Sequence, residues 1–210
     1  MEANAAPERR LRIWETALLI GLAVFLVSGM LSLQAQRELS EKVVRLHVLA
    51  NSDSAEDQAL KLQVRDVILT RTTQLLEEAD DRKTAEGLLR GNLLELERLA
   101  EEEIQANGFH YSVNAELSCT EFSTRKYDGF AIPAGEYLSL RIMIGEGNGQ
   151  NWWCVVFPPL CTVAATDISM TALADGFSED EVALITEEQG YVLKFKALEL
   201  WETLKRNWEK

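Results

Sequence analysis

The stretch Gly135 to Cys161, GEYLSLRIMIGEGNGQNWWCVVFPPLC, constrains the fold more than any other part of the chain. Leu138, Leu140, Ile142 and Ile144 alternate with Tyr137, Ser139, Arg141 and Met143, the period of two of a strand with one face in a core. Gly145, Gly147 and Gly149, with Asn148 and Asn151, tolerate positive φ, so the chain is expected to reverse there. Trp152 to Phe157 follows at once and is apolar on both faces, which predicts a central strand. Pro158 and Pro159 end it, because neither can donate to a ladder. A hairpin is therefore expected. The glycine spacing also invites a phosphate-cradling reading, but such a loop needs a helix N-terminus directly after it, and here a strand follows.

The N-terminus is of a different character. Arg9, Arg10 and Arg12 precede an apolar run from Ala17 to Leu33, the pattern of a membrane-targeting segment that leaves the N-terminus in the cytoplasm and sends the rest across. A buried globular helix would show a polar face, and this one does not. Cleavage after Ala35 would put Leu33 where a small residue is preferred, and the run is near the lower limit of about 17 residues for a spanning helix. A cleaved signal peptide and a retained anchor both stay open, with residues 1–36 as the segment and 37–210 as an extracytoplasmic domain. The three arginines balance Glu2, Glu8 and Glu15, so the formal charge of −13 belongs to residues 37–210. That charge repels nucleic acid and anionic headgroups, so no nucleic-acid partner is expected, and the membrane is engaged only through the N-terminal segment.

Val43 to Ala50 reads as a first strand buried on both faces. Asn51-Ser52-Asp53-Ser54 ends it with turn and N-cap formers, and Ser54 with Asp57 matches a capping-box pattern, so a helix is expected from about Ala55 with Leu60, Val64, Val67, Ile68 and Leu75 on one face. Asp81 or Thr84 can cap a second long helix carrying Leu89, Leu93, Leu96, Ala100 and Ile104, stopped by Asn107-Gly108. The acidic run Glu95 to Glu103 reads as a solvated outer face. Tyr111 to Cys119 alternates as a strand, Ser178 to Ile185 allows a short helix, Tyr191 to Phe195 a last strand, and Ala197 to Trp208 a C-terminal helix. The expectation is a single α+β domain: a mixed or antiparallel sheet of about four or five strands, two long antiparallel helices and a C-terminal helix, preceded by the N-terminal membrane-targeting helix.

Little announces chemistry. His47 and His110 have no ligand-spaced neighbours, so no metal site is expected; no G-x-S-x-G elbow occurs, and Asp53 with Asp57 reads as helix capping before a carboxylate pair. No catalytic residue and no cofactor are assigned. Cys119, Cys154 and Cys161 would lie outside the cytoplasm, where one disulfide and one buried thiol are expected. Pairing Cys154 with Cys161 requires the chain to fold back at Pro158-Pro159, and Cys119 is an equal candidate for either.

The two stretches RLHVLANSDSAEDQALKLQVRD at Arg45 to Asp66 and AGEYLSLRIMIGEGNGQNWWCVVFPPLC at Ala134 to Cys161, with KFKALELWE at Lys194 to Glu202, resemble the stage II sporulation protein R family of endospore-forming bacteria. The resemblance implies a signal protein made in the forespore and exported into the space between the two membranes. There it would trigger a membrane-bound aspartic protease of the mother cell that processes the precursor of sigma-E. The alternative is an exported hydrolase acting on cell-wall or peptide material. For contact with a partner, the candidates are Asn51 and Asp53, polar and beyond a strand end, and Trp152 and Trp153, whose adjacent side chains must point to opposite faces.

Overall fold

The computed structural model describes residues 5–127, 130–160, 177, 182, 185 and 186, with the backbone alone at 5–13, 28–29, 31–33 and 35. Two compact units divide between Glu38 and Leu39. Helix α1 (Ala5–Lys42) accounts for the first. The described apolar side chains between Trp14 and Met30, among them Leu18 and Phe25, are exposed, whereas Leu39 near the end of the helix is buried. Among the described residues no helix is long and apolar enough to cross a membrane.

In the second unit four strands form a mixed sheet in the order β2-β5-β1-β6. β1 (Val44–Leu49) runs parallel to β5 (Gly135–Ile144) and antiparallel to β6 (Asn151–Phe157), and β2 (Val113–Phe122) lies antiparallel on the far side of β5. The expected hairpin between β5 and β6 is therefore not formed, because β1 lies between them. Residues 145–150 have to cross two strand spacings, about 9.6 Å, which six residues span easily. Nor is β6 central: among the described residues it is an edge strand, as is β2 at the other side. Cys154 to Phe157 are buried all the same, because cover above and below a strand reports layers, not rank within the sheet.

One face of the sheet is closed by helices. Val113, Ala115, Leu117, Leu138, Leu140, Ile142, Leu46, Val48, Cys154 and Val156 meet Leu60, Val64 and Ile68 of α2 (Ala55–Leu76) and Leu96, Ala100 and Ile104 of α4 (Leu93–Ala106) in one core. Each fully buried Val, Leu or Ile among them contributes about 1.5–3 kcal/mol, and this face holds the domain together. The second long helix is in fact two, α3 (Arg82–Gly91) and α4, parted at Asn92 with φ −117 and ψ 11. Gly91 and Asn92 are weak helix formers, and Asn92 Nδ2 donates to Leu88 O at 2.7 Å, a side-chain bond that competes with continuation. Asp81, not Thr84, caps α3. α4 ends in a Schellman motif: Gly108 takes φ +81, Gly108 N donates to Gln105 O and Phe109 N to Ile104 O.

Part of the acidic face of α4 turns out not to be outer. Glu101 accepts from Val113 N at 3.3 Å and Glu97 from Ala115 N at 2.8 Å, so two carboxylates occupy edge donors of β2 that would otherwise be open to another strand. Arg71, which interrupts the apolar stripe of α2, is held by both oxygens of Glu95 at 2.9 and 3.2 Å. A small second sheet, β3 (Arg125–Tyr127) with β4 (Phe130–Ile132), was not anticipated. Val182 and Ile185, inside the short helix expected at Ser178 to Ile185, are helical and buried. The last strand, the C-terminal helix and Cys161 lie outside the described residues.

Candidate functional site

The polar loop after β1 is an internal clamp. Ser54 caps α2, accepting from Asp57 N at 3.1 Å, but Asp57 does not complete the capping box. Its buried carboxylate instead accepts from Ser52 Oγ at 2.6 Å and Asn51 Nδ2 at 2.9 Å. Burial pushes the Asp57 carboxyl up, and the hydrogen bonds from Ser52, Asn51 and Tyr111 outweigh it, leaving the group below the usual range. The same loop ties down the glycine-rich connection: Asn51 Oδ1 accepts from Glu146 N at 3.1 Å, Asp53 Oδ1 from Gln150 N at 2.7 Å, and Lys61 Nζ donates to Gln150 O at 2.9 Å. Two glycines make this approach possible. A Cβ on Gly149 would lie 2.2 Å from Ser52 O, and Gly145 sits at φ +56 against Asn51 Oδ1.

On the sheet face away from α2 and α4, polar residues stand in a row. Arg45 and His47 of β1 lie directly opposite Ser139 and Arg141 of β5, and His47 is opposite Trp153 of β6. Arg45, His47 and Ser139 are buried. Arg45 Nη2 donates to Tyr127 Oη at 2.9 Å, and its guanidinium centre stands 3.9 Å from the Phe122 ring and 5.2 Å from that of Tyr137. The His47 ring stacks on Trp153, with centroids 3.6 Å apart and planes at 17°. Burial lowers the His47 pKa to about 4, Asn151 pulls the other way, and the cationic Arg141, Arg45 and Arg125 lower it further. At neutral pH His47 is uncharged. Burial likewise lowers Arg45 and raises the Tyr137 phenol, which donates to Pro133 O at 2.9 Å. Arg141 pairs with Glu116 of β2. Sequence reasoning set His47 aside as structural and passed over Arg45, Ser139 and Arg141. The available signal was that a period of two puts Arg45 with His47, and Ser139 with Arg141, on a single face.

Among the expected contact residues, Asn51 is half-buried with both side-chain polar atoms engaged internally, and Asp53 is exposed. Trp152 packs against the helix-covered core with Arg65 5.0 Å from its ring, and Trp153 points to the opposite face, as adjacent strand residues must. Both are half-buried. Cys154 is disulfide-bonded and buried, and Cys119 is a free thiol. The free thiol was expected to be buried, yet Cys119 is exposed. Between the Glu101 and Glu97 contacts α4 rises about 6 Å while β2 advances about 6.7 Å, so helix and strand keep step. By that measure Leu93, where the helix starts, is level with Leu117, and Cys119 lies past its end. Among the described residues no group of three His, Cys, Asp or Glu side chains could hold a metal ion.

These features define an α+β domain with a mixed sheet, armoured by helices on one face and carrying a buried cationic and aromatic row on the other. The chain belongs to the stage II sporulation protein R family: the family described as "Stage II sporulation protein R (spore_II_R)" matches residues 40–167, the span of the sheet and its helices. A stage II sporulation protein R of Bacillus subtilis (strain 168) is 37% identical over 123 residues, 59% of this chain. The match covers about half of that relative, 55%. No solved structure matches. The role of the chain is in sporulation.

Proposed function

We propose that this chain is the exported signal of sporulation that its family resemblance implies. It is made in the forespore, enters the intermembrane space of the sporangium and there activates a membrane-bound aspartic protease of the mother cell, which processes the sigma-E precursor. The observation that carries the reading is family membership across residues 40–167, which include all four strands of the main sheet. Two further features support an extracytoplasmic place: the arginine-led apolar run at 17–33 and the disulfide at Cys154, a bond that persists in oxidising compartments. Of the four candidates, Asn51 and Asp53 hold the 145–150 connection and Trp152 packs on the core, so Trp153, whose indole lies outside the helix-covered core, is the proposed contact position. Deleting the gene tests the proposal. Sigma-E precursor should accumulate unprocessed while the protease itself remains detectable in the membrane fraction. Normal processing in the deletion strain refutes it, and turnover of wall fragments or peptides by the purified protein would favour a hydrolase.

A further inference from the structure

The row on the second sheet face has positive charge and donors without acceptors. Arg45 is fully buried, and among the described residues its side chain makes one hydrogen bond, to a neutral phenol. Among the described residues its Nε and Nη1 have no hydrogen-bond partner, nor do Ser139 Oγ or Arg141 Nε. Stacking on Phe122 does not relieve this. The π contact uses the face of the guanidinium, whereas its N–H groups point outward in the plane. Buried arginine is ordinarily matched by a carboxylate, because an ion taken from water without a partner is costly. Here the charged groups that act on Arg45 and His47 are themselves cationic, Arg125 and Arg141. Glu116 shares this face and is already engaged by Arg141.

We propose that Arg45, His47 and Ser139, with Arg141 at the mouth, form a binding site for one carboxylate group. Register makes the four a two-by-two block on adjacent strands, Arg45 beside Ser139 and His47 beside Arg141, about 4.8 Å apart across the strands. A carboxylate seated over the block accepts from the open Arg45 N–H groups and from Ser139, and its aliphatic stem lies against Phe122 and Trp153. The row opens at one end. Arg45 is fully buried, but the side chains of Arg141 and Glu116 keep 27% and 40% of their exposure, so a ligand enters past that ion pair. The block has one arginine to neutralise inside and aromatic walls beside it, which suits a single acidic group; the −13 charge of the chain disfavours a polyanion.

The test uses the full-length protein in detergent, titrated with the amide of N-acetylglutamate, with N-acetylglycine, with the neutral amide of N-acetylglutamine and with phosphate. Thermal melting and the His47 Cε1–H resonance are the readouts. Either carboxylate should raise the melting temperature and move the resonance, and their ranking separates an acidic side chain from a chain terminus as the source. The neutral analogue should do neither. No response to either carboxylate, or an equal response to phosphate, overturns the proposal. Arg45→Met should abolish the carboxylate response and melt, without ligand, at or above the wild type, since a linear apolar chain replaces an unmatched buried charge. A marked fall in unliganded melting temperature would instead assign Arg45 a purely structural role. Arg141→Gln, partly exposed and still able to donate to Glu116, should weaken carboxylate binding roughly tenfold with at most a small fall in unliganded melting temperature; unchanged affinity overturns the site.

Discussion

Lowering the pH from 7 to 5 will destabilise the domain through His47. Its folded pKa is about 4, against about 6.5 in the unfolded chain. Above the unfolded value neither state holds the proton, and the contribution to stability does not vary. Below it the unfolded chain takes up a proton that the folded protein refuses until about pH 4, so stability falls with pH at up to about 1.4 kcal/mol per unit. Integrated from pH 7 to pH 5 this amounts to about 1.8 kcal/mol. Trp153, which covers one face of the imidazole, is only half-buried, so some screening by water remains and about 1–1.5 kcal/mol is the working figure. For a domain of this size that is a fall of about 2–6 °C in Tm. The Asp57 carboxyl, held below the usual range, acts the same way at lower pH and stays out of this window. His47→Phe keeps the ring on Trp153 and removes the titration. Thermal melts of both proteins at half-unit steps should show the variant gaining on the wild type as pH falls. A constant difference across the window would refute the assignment of a neutral, desolvated His47.

Gly149→Ala should cost about 1–3 kcal/mol or more, because its Cβ would sit 2.2 Å from a backbone oxygen of Ser52, while Gly87→Ala, in open space within α3, should gain about 0.5–1 kcal/mol; chemical denaturation of the pair measures both. Asp57→Ala leaves Ser52 Oγ and Asn51 Nδ2 without their acceptor and should lose about 1–3 kcal/mol, read as a fall in denaturation midpoint with unchanged slope. Substituting Asn51 and Asp53 together should reduce stability and sigma-E processing in parallel, since both side chains hold the loop at 145–150. Trp152→Ala should do the same through the core, whereas Trp153→Ala should lower processing more than stability, and the reverse order would remove Trp153 from the contact surface.

The sequence alone determined the local structure wherever the cause was local. Alternation between Leu138 and Ile144 sets a strand, Ser54 sets the start of α2 at Ala55, Asn107-Gly108 the end of α4, and the adjacency of Trp152 and Trp153 their opposite faces. The two long motifs were enough to reach the family. What only the tertiary structure decided is pairing and cover. Nothing in β5 or β6 says that β1 lies between them, because strand order is fixed by which long-range pairs bury most surface, not by the six residues that connect them. The polar loop at 51–54 looked like a surface for a partner, and its acceptors are used on the backbone of a turn nearly a hundred positions away. Cys119 has the same alternation as Leu117, and only the starting point of α4 distinguishes an exposed thiol from a buried leucine. Arg45, His47, Ser139 and Arg141 are four ordinary residues on two distant strands, and they become a cationic block only because parallel register sets them side by side over one face.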